Sequence, residues 1–229
     1  MKEYVYKIVF LGDSGVGSKY SLIGQLVNNR FDPNVSSTNG ASYSSIFAQV
    51  NLGIIQLDLW DTTGQEKYRS LSKFFIKDSH CVILGYDITR KNSFDQIKVF
   101  WYNFVKNIVG DDTLIYLVAN KIDLIEEKQV SEKEAIEYAN EKGIKFFRVS
   151  AKTSEGINEL FGDITFSLIM KFKKVINNND KNIISEITKD KTKLKKFNSI
   201  RKIAKNRIEN MSSNINENFE KILKKYYNY

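Results

Sequence analysis

The sequence predicts an α/β fold: a doubly wound, mostly parallel sheet with helices on both faces, followed by a C-terminal helical extension. Three observations lead there. Strand-like and helix-like patterns alternate from the first residues, the run Cys81–Tyr86 is almost wholly apolar, and the motifs that carry polar chemistry fall where strands end. Short apolar strands are the mark of parallel sheets buried on both faces. Repeated β-α-β units then place a ligand site at the carboxyl ends of the strands.

Each element follows from its pattern. Tyr4–Leu11 alternates and is rich in β-formers, and a Gly-rich turn leads from it into a helix ending near Asn28. Ser44–Val50 and Ile54–Trp60 read as strands joined through Asn51-Leu52-Gly53, a hairpin signal. Next come the strand Cys81–Tyr86, a helix through Ser93–Val109, a strand Leu114–Ala119 and a helix Glu132–Lys142. Ser131-Glu-Lys-Glu134 has capping-box spacing before that helix. A strand Lys145–Val149 and a helix from Ile157 to about Lys174 complete the domain, expected over residues 1–174.

Beyond it the composition changes. Asn177–Asn182 is a polar break, and apolar residues then recur from Phe197 to Tyr226 at spacings of three and four. That is one stripe on a helix of about eight turns. Residues 175–229 are therefore expected to be a basic linker and amphipathic tail.

Composition excludes several classes. Of 229 residues, 42% are hydrophobic and 27% charged, which is globular rather than disordered. No apolar run approaches the roughly 20 residues that cross a bilayer, and Met1-Lys-Glu-Tyr-Val-Tyr runs straight into a strand, leaving no room for a signal peptide. The only cysteine, Cys81, lies in an apolar strand and is expected to be a buried, inert thiol. The net charge of +8 belongs to the tail: residues 171–229 carry 16 Lys and Arg against 6 Asp and Glu, leaving the first 170 near neutral.

Four motifs carry the chemistry. Gly12-Asp13-Ser14-Gly15-Val16-Gly17 lies between a strand and a helix, followed by Ser18, Lys19, Tyr20 and Ser21. Such a turn lets successive N–H groups point into one hollow and hold phosphate oxygens. Trp60-Asp61-Thr-Thr-Gly64-Gln65 ends a strand, where Asp61 can hold Mg²⁺ through water, Gly64 can meet a terminal phosphate and Gln65 can orient an attacking water. Asn120-Lys121-Ile-Asp123 follows the Leu114–Ala119 strand. A carboxylate in the plane of guanine accepts from N1–H and the exocyclic amine, whereas adenine presents an acceptor at N1. Lys121 can lie along the purine face. Ser150-Ala151-Lys152 follows the last strand, where a backbone N–H can donate to the guanine oxygen.

All four in this order resemble the Rab branch of the Ras-like small GTPases, over about residues 4–172. Lys67-Tyr-Arg-Ser-Leu71, Tyr86-Asp-Ile-Thr89, Ser93-Phe94 and Trp101 support the branch. The resemblance implies the small G-protein fold, GTP and GDP as ligands, and Mg²⁺ as cofactor. It implies that Thr38 ligates Mg²⁺ and senses the γ-phosphate, and that Phe31 covers guanine. It also implies that Tyr43, Trp60 and Phe75 form an effector-facing aromatic triad; ordinary core packing is the other reading of those three.

The sequence departs from the family in two places. Lys19 stands one place later than the phosphate-loop lysine, and Tyr20 follows it. Either Ser18 is an insertion and Tyr20 occupies the place of the Mg²⁺-binding hydroxyl, or Ser18 and Lys19 replace the lysine and that hydroxyl. Both alignments lose the hydroxyl, and Ser21 is the nearby substitute if the first helical turn re-winds. Because phosphoryl transfer rests on positioning and charge neutralisation, the departure predicts weak Mg²⁺ dependence, slow or absent hydrolysis and looser triphosphate binding, with guanine recognition retained. The second departure is the tail, where no cysteine is available for prenylation and Lys2 stands where N-myristoylation needs glycine. No lipid anchor is expected.

The leading expectation is a Rab-like switch in vesicle and membrane traffic, cytoplasmic and peripheral on endomembranes. The alternative is a non-hydrolysing scaffold acting through its switch surface and tail. For the tail, a docked or coiled-coil helix, contact with anionic lipid and, least supported, nucleic acid all remain open.

Overall fold

The computed structural model describes residues 3–16, 20–28, 31, 41–50, 53–62 and 69–179. Thr38, Gly64, Gln65, Gly17, Ser18, Lys19 and the tail beyond residue 179 lie outside the described residues, as do Asn51, Leu52 and the side chain of Tyr20.

The alternating and apolar runs form six strands: β1 (Glu3–Leu11), β2 (Ala41–Val50), β3 (Gly53–Thr62), β4 (Cys81–Asp87), β5 (Leu114–Asn120) and β6 (Lys145–Arg148). Their order across the sheet is β2-β3-β1-β4-β5-β6. The β1–β4, β4–β5 and β5–β6 pairs are parallel. Every residue of β4 is buried, Cys81 among them as a free thiol, which fits a strand covered on both faces. Each buried Val, Ile or Leu side chain of such a strand stabilises the fold by roughly 1.5–3 kcal/mol.

The helices are α1 (Tyr20–Asn28), α2 (Arg69–Ile76), α3 (Lys91–Gln96), α4 (Tyr102–Lys106), α5 (Glu132–Lys142) and α6 (Ile157–Asn179). Two compact units divide them. One contains Val5–Ile46 and Leu57–Leu160; the other contains the described residues within 1–4, 47–56 and 161–229. In the first, Leu11, Leu84, Phe94, Trp101, Leu117 and Ala139 belong to one buried apolar cluster. In the second, Phe161, Ile164 and Leu168 make a buried stripe of α6 at helical spacing.

Three local expectations are corrected. The single helix expected across Ser93–Val109 is interrupted, because Ile97–Trp101 winds as a π-helical turn between α3 and α4. A π turn accommodates one residue more than an α turn, and such turns are frequent at functional sites. Ser131 is the N-cap residue of α5, but its side chain makes no capping hydrogen bond. Glu134, expected to complete that box, instead accepts from Lys91 and Lys98; two ammonium donors outcompete one backbone N–H. Helix α6 continues to Asn179, past the expected end near Lys174, since asparagine is a weak helix former rather than a breaker.

Candidate functional site

Register brings the site together. Leu11 of β1 pairs with Leu84 of β4, and Asp87 at the end of β4 pairs with Asn120 at the end of β5. The Gly-rich turn, the β4 end and the Asn120–Asp123 loop therefore leave the sheet at one edge, the carboxyl edge of its parallel strands.

Gly12 opens the turn where β1 and β4 come closest. A Cβ at Gly12 would lie 2.3 Å from the Gly85 carbonyl oxygen, so only glycine fits. The turn is held by side chains from elsewhere in the chain. Trp101, fully buried at the end of the π turn, donates from Nε1 to Asp13 Oδ1 at 3.1 Å. Arg90 donates from Nη2 to the Ser14 carbonyl at 2.8 Å. Asn120 donates from Nδ2 to the Val16 carbonyl at 3.0 Å. Three successive parts of the turn are thus tied to α3–α4, to the β4–α3 connection and to β5.

Asp87 is the hub of this edge. It is fully buried, and its Oδ1 accepts from the Thr89 backbone N–H and hydroxyl at 2.9 and 2.7 Å. Its Oδ2 lies 2.6 Å from Lys121 Nζ and 3.4 Å from Arg90 Nε. A buried carboxylate without such partners would be costly to the fold. Beside it, burial above all raises the Tyr86 phenol above the ordinary tyrosine range, and the Glu132 and Glu134 carboxylates add to the shift. Tyr86 is therefore a neutral core hydroxyl across the physiological range.

The residues expected to read the base come together. Asp123 Oδ1 accepts from Ser150 Oγ at 2.6 Å, and that hydroxyl in turn accepts from the Thr153 N–H at 3.1 Å. Ala151 is buried beside them in sequence, whereas Lys152 is exposed. Lys121 and Ser154 hold left-handed backbones at φ 64° and 67°, conformations uncommon for residues other than glycine and concentrated at ligand-binding loops. Gln25 of α1 donates to Ser154 Oγ and links that helix to the same loop. Asn120 Oδ1 is buried with no hydrogen-bond partner among the described residues. An orphaned acceptor next to a positioned carboxylate fits a purine ligand that supplies donors.

The remaining expected residues are placed as follows. Asp61 is fully buried near the end of β3, and its neighbour Thr62 donates to the Phe10 carbonyl at 2.9 Å, joining β3 to β1. Ser21 is half-buried in the first turn of α1. Phe31 is exposed. Tyr43, Trp60 and Phe75 form one stack, with ring centroids 5.1 and 5.7 Å apart. Tyr43 is 50% exposed, so the stack reaches the surface instead of closing inside the core, and its hydroxyl donates to Asp58. Sequence reasoning missed Arg90, Gln25 and Ser154. Their contacts span 76 and 129 positions, and no local spacing announces them.

The sequence is similar to those of known proteins. The sequence profile of the Ras family matches residues 7–173. The chain is 37% identical over 171 residues to the Ras-related protein Rab-2B of Dictyostelium discoideum, an alignment spanning 75% of this chain and 84% of that protein. It is 38% identical over 188 residues to the GTP-binding protein YPT52 of Saccharomyces cerevisiae, covering 69% and 80% of the two. It is 41% identical over 160 residues to the Ras-related protein Rab-21 of Geodia cydonium, covering 69% and 68%.

Proposed function

The chain belongs to the Ras family of small GTPases, and from that premise we propose that it is a Rab-type guanine-nucleotide switch whose base site is intact and whose phosphate and Mg²⁺ site is altered. The observation that carries the reading is the Asn120–Asp123–Ser150 arrangement. A carboxylate held at 2.6 Å by Ser150 stands next to an orphaned, buried amide oxygen. Asp123 accepts from guanine N1–H and its exocyclic amine, the Ala151 N–H donates to the guanine oxygen, Lys121 lies along the purine, and Phe31 covers its other face. Gly12, Asp13, Ser14, Gly15, Val16 and Gly17 cradle the phosphates with Lys19.

Asp61, Thr38 and Ser21 are the residues available to Mg²⁺, which when bound neutralises developing charge on the phosphates. The lysine displaced by one place and Tyr20 at the opening of α1 weaken that neutralisation. GTP binding is then less dependent on Mg²⁺, and hydrolysis, oriented by Gln65, is slow. Thr38 and Gly64 are the residues that respond to the γ-phosphate in this reading.

The output is protein binding at the Tyr43–Trp60–Phe75 stack, whose exposed Tyr43 and neighbouring Phe74, 76% exposed, offer the amphipathic aromatic surface that partner proteins favour. The relatives named Rab make vesicle traffic the proposed setting, with the G domain spanning 1–174 and the basic stripe of 175–229 supplying peripheral contact with endomembranes or a partner helix. Among the described residues no helix is long and apolar enough to cross a membrane.

Single-turnover hydrolysis of GTP with Mg²⁺ and with EDTA tests this reading. Slow turnover, nearly indifferent to the metal, is expected. Turnover at a rate typical of an activated GTPase, abolished by EDTA, contradicts the altered site.

A further inference from the structure

One cation at the Gly-rich turn has no part in the reading above. Arg90 stands in the β4–α3 connection, and its guanidinium reaches across to the turn. Nη2 donates to the Ser14 carbonyl at 2.8 Å. If Gly15 carried a Cβ, the three heavy atoms nearest to it would all belong to Arg90, with Nη1 3.4 Å away. Gly15 has φ +74°, a conformation that turns its backbone into the hollow as only glycine does without strain.

The arginine is not needed to neutralise the buried carboxylate beneath it. Asp87 already has Lys121 Nζ at 2.6 Å and two hydrogen bonds from Thr89, whereas the Arg90 Nε contact is the longer one at 3.4 Å. Two cations thus flank one buried anion, and Arg90 is the more loosely paired of the two. Arg90 shows 43% of its side chain to solvent, and a guanidinium carries five donors in one plane. Nη2 and Nε are engaged as described, while Nη1 has no hydrogen-bond or ion-pair partner among the described residues. A planar fork with spare donors beside a glycine hollow is a phosphate-binding arrangement.

The geometry points to Arg90 as a second phosphate cation: its guanidinium compensates the charge of the nucleotide's phosphate chain, in a loop whose lysine is displaced by one residue. This rests on the guanine-nucleotide reading and adds to it a source of charge that the Gly-rich motif does not contain. Two of its consequences are distinctive. Arg90 contributes to binding only when the ligand carries phosphate, and its contribution needs no divalent metal. It also weakens as salt rises, because exposed charges are screened over about 8–10 Å at ordinary ionic strength.

The test is equilibrium binding of guanosine, GMP and GDP to the full chain and to Arg90→Gln and Arg90→Lys, in EDTA, at low and high salt. Arg90→Gln is expected to weaken GDP about 10-fold and guanosine less than about 2-fold, and to flatten the salt dependence of GDP binding. Arg90→Lys keeps the charge and is expected to recover part of the loss. Equal weakening of guanosine and GDP would show that Arg90 only braces the turn, and unchanged GDP affinity would show that it does nothing there. Either result overturns the proposal. Should Arg90→Gln not fold, Arg90→Lys alone decides: a loss confined to the phosphorylated ligands supports the proposal, and an equal loss across all three overturns it. If the unaltered chain binds none of the three, the guanine reading itself fails, a result distinct from a chain that binds all three without using Arg90.

Discussion

The two ends of the proposed nucleotide site are built on different plans. At the base end, Asn120, Asp123 and Ser150 come from two neighbouring strand ends, and Ser150 donates to Asp123 while itself fixed by the Thr153 N–H. At the phosphate end the loop is held from a distance: Trp101 grips Asp13, Arg90 grips Ser14 and Asn120 grips Val16. The first plan is local and follows the family's pattern. The second relies on a π turn and a long-range arginine, and it coincides with the place where the sequence departs from that pattern. Asn120 serves both ends, but the Asp123–Ser150 pair shares no residue with the Trp101 and Arg90 braces, so the phosphate end can change while that pair is kept.

The largest expected effect lies at the base end. Asp123→Ala removes both hydrogen bonds to guanine and should lower GDP affinity by on the order of 10²- to 10⁴-fold. Competition against ADP checks it, because the variant should also lose its preference for guanine. If the preference survives, the base is read elsewhere.

Next in size is Gly12→Ala. With its Cβ 2.3 Å from the Gly85 carbonyl, β1 and β4 must move apart, and a loss of stability above about 3 kcal/mol is expected. Denaturant unfolding measures it; a midpoint close to that of the unaltered chain would mean that the two strands yield easily.

Trp101→Phe sharpens the comparison at the other end. It keeps most of the buried ring and deletes only the donor to Asp13, so the expected loss is about 1–3 kcal/mol. GDP binding should fall more than guanosine binding, since the turn and not the base loop is released. Ser150→Ala should act in the opposite sense, weakening guanosine and GDP alike by about 5-fold through one hydrogen bond. Isothermal titration of both ligands against both variants separates the two ends in one experiment.

Smallest is Glu134→Gln. Hydrogen bonds from Lys91 and then Lys98 hold the Glu134 carboxyl below the ordinary range. A carboxyl lowered in the folded chain stabilises it above the unfolded value of 4.5 and loses that contribution as pH falls through the lower folded value. The group is 37% exposed, so the effect is screened to below about 0.5 kcal/mol. The unaltered chain should therefore be slightly more stable than Glu134→Gln above pH 4.5, and denaturant unfolding at a series of pH values should show the difference vanishing in strong acid.

Much of this was legible in the sequence because it is periodic or contiguous. The apolar run Cys81–Tyr86 announces a strand buried on both faces, and β4 is buried throughout. The Asn120–Asp123 and Ser150–Lys152 strings announce a base site because each follows a strand directly, so register alone carries them to one edge. The braces were not legible. Arg90 and Ser14 are 76 positions apart, and a π turn differs from an α turn by a single residue that leaves no trace in hydrophobic spacing. Ser131 shows the opposite error: its spacing to Glu134 matches a capping box, yet tertiary ion pairs claimed Glu134 first.

In the proposed function, guanine recognition is whole while phosphate and metal binding are altered. Equilibrium binding of a fluorescent GDP in Mg²⁺ and in EDTA, with ADP as competitor, tests it most directly. Binding that prefers GDP over ADP and changes less than about 10-fold when the metal is removed is the predicted result. Affinity that collapses by orders of magnitude in EDTA would mean that the loop builds a working Mg²⁺ site despite Tyr20, and would contradict the account.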